Sequence, residues 1–418
     1  MDILKEAGKR FEYMTGVRRH LHENPELSGQ ETNTLEYIRG ELMRMGIPYT
    51  DVDNGGILGF IEGKQPGKTV LLRADMDALP IAENPQNLAG PKVCVSHVPG
   101  VSHACGHDCH TAMLLAEADI LNSHREEFFG CVILCFEQGE EGTGNMKYIL
   151  QYLEETNPTR IDGCYGAHVR WDMDTGTISA EPGPVMAGAY GFEVRVIGVG
   201  GHGSRPDLAV SPIGCFHAIY GALESLRMRE VSPYAGLSFS IGKLISGNVM
   251  NVIPEDLVFA GTIRTFQVEE AGETFIREFK RILECETELY HCRYEIIRLN
   301  KPLYEVYNNE DCSRIAKRAV KRCLGEEPLV RAQPWMASES MNMLLKLYPG
   351  VLAFVGIRNE KLGSGANHHT PEFDVDERGL ISGTAAAAAF AIEFLENREP
   401  VRFRRDIISL EDLVNRSI

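Results

Sequence analysis

The stretch His103-Ala-Cys105-Gly-His107-Asp-Cys109-His110 holds five side chains able to bind soft or borderline metals, with an aspartate among them. Thiolate and imidazole together suit zinc or a similar transition metal. A structural zinc site is usually closed by four Cys/His ligands, often in C-x-x-C pairs. Here the spacing is Cys-x-His with further candidates close by. On spacing alone a structural knot, a set of satisfied core histidines and a catalytic site all stay open. An apolar run from Met113 to Leu121 follows, so the cluster sits where a buried helix begins.

A second constellation favours catalysis. Cys131-Val-Ile-Leu-Cys-Phe136 reads as a buried strand and runs into Glu137-Gln-Gly-Glu140-Glu141-Gly142. Adjacent carboxylates at a strand's C-terminal end lie where α/β enzymes place their active sites. A solvated acidic loop is the commoner fate of such a pair. A division of labour explains it better: one carboxylate binds metal and its neighbour is the general base toward a metal-activated water. His168 closes the apolar run Tyr165–Val169, and His369 lies in a Pro-containing loop, 367–374, after the strand Val351–Val355. A lone histidine is more often structural. Together these residues bring one thiolate, one carboxylate and three imidazoles to one edge of one sheet, enough for two metals with an open position. Asp77, in Leu71-Leu-Arg-Ala-Asp-Met-Asp77-Ala-Leu-Pro80, could accept a hydrogen bond from a ligating imidazole. The alternative is a turn aspartate.

The elements that must position these residues follow an α/β rhythm. A first helix ends before Asn24-Pro25. A second begins near Ser28, where Ser28 and Glu31 form a capping box, and runs to Met45-Gly46. Strands at Val70–Ala74, Cys131–Phe136 and Gly163–Val169 alternate with helical stretches such as 110–123, the pattern of a mostly parallel sheet covered by helices. After Pro182-Gly-Pro184 the texture changes: a period-two strand at 191–197, a helix at 211–228, strands at 237–246 and 256–266, a helix at 268–290 and a strand at 293–299. That order is the ferredoxin-like split βαβ. The expected architecture is an αβα catalytic domain, 1–184 plus 299–418, with an inserted α+β lid at 185–298. Within the lid, Gly198-Val-Gly-Gly-His-Gly203 formally fits a dinucleotide fingerprint, which would make the chain an oxidoreductase. That fingerprint needs a helix opening within the glycines, and Pro206 and Ser211-Pro212 predict loop to about residue 211.

Bulk composition sets the class. The 418 residues are 44% hydrophobic and 24% charged, as in a soluble globular enzyme. A formal net charge of -17 argues against nucleic acid or an anionic membrane as partner. The 11 cysteines are scattered through apolar runs, as expected of reduced core residues in an intracellular protein. Met1-Asp-Ile-Leu-Lys-Glu reads as a helix start without an apolar targeting core, and no segment approaches the roughly 18 continuous apolar residues of a membrane span. The expected home is the cytoplasm.

The chain resembles the M20 metallopeptidase family, and within it the amidohydrolase branch of N-acyl-amino-acid, hippurate and auxin-conjugate hydrolases. The matching stretches are Arg18–Leu27, Arg73–Pro80, His103–Asp108, Glu140-Glu-Gly142, Gly166-Ala-His-Val169, Gly201-His-Gly-Ser204, Asn251-Val-Ile-Pro254 and Gly261–Phe266, in family order across nearly the whole chain. The resemblance implies a two-metal amidohydrolase acting on N-acyl amino acids, with a homodimer formed through the lid. It implies metal ligands at Cys105, His107, Glu141, His168 and His369, the last counted from Pro371. It places the catalytic base at Glu140 and Asp77 beside it. His202 would reach a neighbouring subunit's site and steady the oxyanion, while Asn251 and Arg264 would hold the substrate's amide region and carboxylate. Zinc or manganese is expected, with cobalt or nickel as alternatives. A dipeptidase or carboxypeptidase on the same scaffold is the nearest rival, and a catalytically silent metal-stabilised binding protein a more distant one. The chain departs from the family at Gln138-Gly139, at Cys109 and at Ser340, where an acidic residue is usual.

Overall fold

A computed structural model describes residues 1–157, 159–405 and 409–415. The chain divides into two compact units. The first takes Met1–Gly183, Tyr307–Gln333 and the chain from Ser340; the second takes Pro184–Val306 and Pro334–Glu339. The second unit therefore runs beyond the lid boundary at 298 and regains a short piece of chain at 334–339.

The first unit is built on a seven-stranded sheet. Its strands are β1 (Tyr49–Val52), β2 (Gly56–Glu62), β3 (Thr69–Asp75), β4 (Cys131–Glu137), β5 (Gly163–Asp174), β6 (Ile178–Ser179) and β7 (Gly350–Arg358), in the order β1-β2-β4-β3-β5-β7-β6. The central four, β4-β3-β5-β7, run parallel, and antiparallel strands flank them. Val70 to Leu72 and Val132 to Phe136 are buried without a break, so their apolar runs do not alternate. That is the signature of strands covered on both faces. The cover comes from helices Phe11–Glu23, Thr32–Met45, His107–Ser123, Glu310–Leu324 and Gly379–Glu396, whose apolar faces join the same core.

Three readings of the sequence need correction. The opening helix is two, Ile3–Lys9 and Phe11–Glu23, broken at Arg10. The Ser28–Glu31 capping box does not form. The next helix starts at Thr32, and its first amides are met by Glu26, which accepts from Asn33 N at 3.1 Å and Thr34 N at 2.9 Å. Ser28 and Glu31 point elsewhere, as described below. Finally, Gly379–Glu396 is long and apolar enough to cross a membrane by length and composition. Its alanines and Phe390 and Phe394 are buried in the core, so this apolarity serves packing.

The second unit holds a four-stranded antiparallel sheet ordered Leu237–Ser246, Asp256–Thr265, Gly188–Ile197, Arg293–Leu299. Helices Pro212–Arg229 and Glu273–Leu289 complete the strand-helix-strand-strand-helix-strand order. Strand Gly188–Ile197 alternates buried and half-buried positions, with Phe192 against Phe259 and Phe279. No helix opens within Gly198–Gly203; the helix begins at Pro212. A side chain at position 198 would meet the Val210 carbonyl at 2.1 Å. These glycines serve close backbone packing, and the dinucleotide reading is excluded.

Candidate metal centre

The C-terminal ends of β3 and β4 lie side by side, with Asp75 paired to Glu137. His168 lies on β5 two residues beyond Gly166, the last β5 residue paired with β3. The helix that begins at His107 and the loop after β7 complete the rim. Gly106 makes the entry possible. Its φ is +91°, and a Cβ there would lie 2.4 Å from a Val169 methyl, so only glycine turns Cys105 and His107 toward one point.

Among the described residues four donor groups have their ligand atoms within 4.8 Å of one another; one is Asp75–His107–His110, and two, Cys105–His107–His168 and Cys105–Glu141–His369, draw on the thiol. His369 Nε2 stands 3.0 Å from Glu141 Oε1, and His107 Nε2 3.8 Å from the same oxygen. Glu140 forms a further group with His107 and Glu141.

The donors are prepared for cations. His107 Nδ1 donates to Asp77 Oδ1 at 3.0 Å, which orients the ring and leaves Nε2 buried without a hydrogen-bond partner among the described residues. His168 Nδ1 donates to the Val169 carbonyl at 2.7 Å, so the lone pair of Nε2, 3.6 Å from Cys105 Sγ, faces the thiol. Burial disfavours the charged form of both rings. In His168, His110 and His368 reinforce that and the pKa falls well below the usual value. In His107, Asp75 and Cys105 outweigh it and the pKa rises well above. Burial, and then the Glu141 charge, push the Cys105 thiol well up, so a thiolate here needs a cation beside it. A mixed S, N, O set with an orphaned imidazole nitrogen fits divalent transition metals.

Asp77 does more than orient His107. Its other oxygen accepts from Glu141 N at 2.9 Å and from the Ser28 hydroxyl. Although burial raises its pKa, the His107 and Ser28 hydrogen bonds win and hold it below the usual carboxylate value. The neighbours of the cluster are satisfied elsewhere. His110 donates to Asp75 at 2.6 Å and accepts from Val169 N at 2.9 Å. Asp108 takes Arg18 at 2.9 Å and His22 at 2.8 Å, which ties the Phe11–Glu23 helix to the site. Of the adjacent pair after β7, His369 enters a donor group, at a backbone φ of +60°, and its N–H donates to the Ala104 carbonyl at 2.9 Å. His368 is buried against Phe373 and His168.

The structure also gives some residues site roles that the sequence did not suggest, Glu31 among them in place of the expected helix cap. Glu31 accepts from Gln138 Nε2 at 2.9 Å and Gly139 N at 2.8 Å, just before Glu140. Arg73 and Glu137, both buried, meet the half-buried Ser340 where β4 runs into the same loop. A charged Arg73 within an apolar strand was the signal available for that cluster.

His202, Asn251 and Arg264 belong to the second unit. His202 is exposed, and its Nδ1 accepts from Ser204 N at 3.1 Å, which leaves the proton on Nε2. Asn251 is exposed next to it, its carbonyl accepting from Gly203 N at 2.8 Å. Arg264 is half-buried and donates to Ser338 Oγ at 2.7 Å. Burial lowers its pKa, and among the described residues no carboxylate lies within ion-pair distance of it.

Comparison with known proteins agrees with this geometry. The model for Peptidase family M20/M25/M40 matches residues 71–393. IAA-amino acid hydrolase ILR1-like 4 of Arabidopsis thaliana is 34% identical over 392 residues, covering 92% of this chain and 86% of its own. Thermostable carboxypeptidase 2 of Saccharolobus solfataricus is 33% identical over 404 residues, covering 94% of this chain and 98% of its own. The crystal structure of the Bacillus subtilis YXEP protein, a dinuclear metal binding peptidase from the M20 family, superposes with a TM-score of 0.77 at 30% identity, covering 93% of this chain and 99% of that one. A match across most of its length, over a site of this donor chemistry, makes the chain a member of peptidase family M20/M25/M40.

Proposed function

We propose that this metal-dependent hydrolase cleaves the amide bond of N-acyl amino acids, releasing a carboxylic acid and a free amino acid. The observation that carries the reading is the Glu140–Glu141 pair. Glu141 faces Cys105 and His369, while Glu140, adjacent to it, shares a donor group with His107. In a closed structural site that second carboxylate would have no task.

Cys105, His107, Glu141, His168 and His369 would hold two divalent ions, zinc or manganese in preference to cobalt or nickel. When bound, such ions lower the pKa of water and stabilise negative charge on a carbonyl oxygen. Glu140 takes a proton from the attacking water and returns it to the leaving nitrogen. Arg264, which lacks a carboxylate partner among the described residues, receives the substrate carboxylate through its guanidinium fork. Asn251 holds the amide region. His202, protonated on Nε2, donates to the developing oxyanion of a neighbouring subunit. A homodimer through the second unit supplies that geometry. Its support is an edge strand, Leu237–Ser246, whose Leu244 and Ile245 are exposed, close in sequence to exposed Val249 and Met250.

A dipeptidase or carboxypeptidase activity is the second reading, favoured by the relative named a carboxypeptidase. A hydrolysis panel of N-acyl amino acids and dipeptides, run after chelation and readdition of each metal, separates the two. Turnover of acylated substrates in preference to free dipeptides is expected. Fewer than about two metals per chain and no hydrolysis of either class would favour a silent binding protein.

A further inference from the structure

Arg73 and Glu137 are both buried, with side-chain exposures of 1% and 0%. Burying ions is costly unless their hydrogen bonds are complete. Here they are extensively made. Arg73 Nε donates to Glu137 at 2.6 Å, one Nη to Asp75 at 2.9 Å and the other to Ser340 Oγ at 2.7 Å. The Ser340 hydroxyl donates to Glu137, 2.8 Å from either oxygen. Ser340 then presents its backbone N–H to Glu140 Oε1 at 2.9 Å. On the other side, Asp75 accepts from His110, whose Nε2 accepts from Val169 N, and the carbonyl of Val169 accepts from His168 Nδ1.

From this chain of contacts we infer that Arg73, Glu137 and Ser340 are positioning residues for Glu140, and that the Ser340 hydroxyl is the joint. The hydroxyl accepts from Arg73 and donates to Glu137, which fixes residue 340 so that its N–H meets one oxygen of the Glu140 carboxylate. The other oxygen is then aimed for proton transfer. The chain's departure at position 340 has a reason in these terms. Glu137 already supplies the buried carboxylate for Arg73, and a second acid at 340 would face it with like charge. The inference rests on Glu140 being the base, and it adds which groups hold that base in place.

Ser340→Ala removes the joint and keeps the backbone N–H, and Ser340→Thr restores a hydroxyl. With manganese-loaded protein and the fastest substrate of the panel, Ser340→Ala should lose roughly 10- to 100-fold in kcat, with KM within about twofold, because small misplacements of a reacting group cost that much. Metal content should stay at the parent level, Ser340→Thr should recover most of the rate, and Glu137→Gln should behave like Ser340→Ala. A crystal structure of the Ser340→Ala protein should show Glu140 displaced from its contact with residue 340, a readout independent of turnover. Parent-level kcat in Ser340→Ala with an unmoved Glu140 overturns the inference, as does a rate loss that follows metal loss or a threonine that rescues nothing. If Glu140→Gln itself remains active, the reading of Glu140 fails; if that variant is dead while Ser340→Ala is unimpaired, only the positioning role falls. Should Glu137→Gln not fold, the two Ser340 variants decide.

Discussion

Asp77 is the residue through which the centre is most exposed to a small change. It holds one imidazole by Nδ1 and the Glu141 amide by its second oxygen. Asp77→Asn keeps the shape but offers an amide where the second carboxylate oxygen accepted. Metal affinity should fall about 10- to 100-fold, read by competition with a chelator. Glu140→Gln should do the reverse: about 100-fold or greater loss of kcat with metal content unchanged. At this scale the sequence is legible where donors cluster locally, as at Cys105 and His107, or where two acids stand together. It is silent where partners lie far apart. Arg73 meets Glu137 across 64 residues, and Glu137 meets Ser340 across 203. Neither serine nor glutamate announces such a partner, because each is an ordinary surface residue until the fold supplies it.

The elements that aim these side chains are governed by their ends. The His107 helix is entered through a left-handed glycine, so Gly106→Ala should lower the melting temperature and metal content together, since the new methyl would strike Val169 at 2.4 Å. Patterning located the strands and this helix well, because continuous burial and apolar runs are local properties. It misplaced the cap of the Thr32–Met45 helix because Ser28 and Glu31 have the right types at the right spacing, and tertiary contacts with Asp77 and the 138–139 loop took them instead. That choice has a pH signature. Burial raises the Glu31 carboxyl from 4.5 to about 7. Between those values the folded state binds more protons than the unfolded chain, so the contribution is fully present below about 4.5 and lost as pH rises to about 7, by about 3 kcal/mol at most. Glu31→Gln cannot ionise. Its melting temperature should therefore gain on the parent between pH 5 and pH 8; a gap that stays constant across that range would show the carboxyl titrating normally.

For the whole molecule, chelation should lower the melting temperature and readdition restore it, because ions bound only by the folded state add to its stability. If His202 serves a neighbouring subunit, mixing inactive Glu140→Gln and His202→Ala chains should return part of the activity in heterodimers, with recovery absent when subunits cannot exchange. Two architectures in succession were readable from the change in hydrophobic period after residue 184. The return of the chain to the second unit at 334–339 was not, since a short irregular segment has no period to read. That return has a consequence for anyone treating the second unit as a movable part. Trp335 and Ala337 accept from the Ala187 amide at 3.0 and 2.8 Å, and Ser338 accepts from Arg264. A transplant cut at 184 and 306 leaves those acceptors behind in the donor protein. The graftable module is a two-piece one, and a chimera that omits the six-residue second piece exports Arg264 without the hydroxyl that holds it.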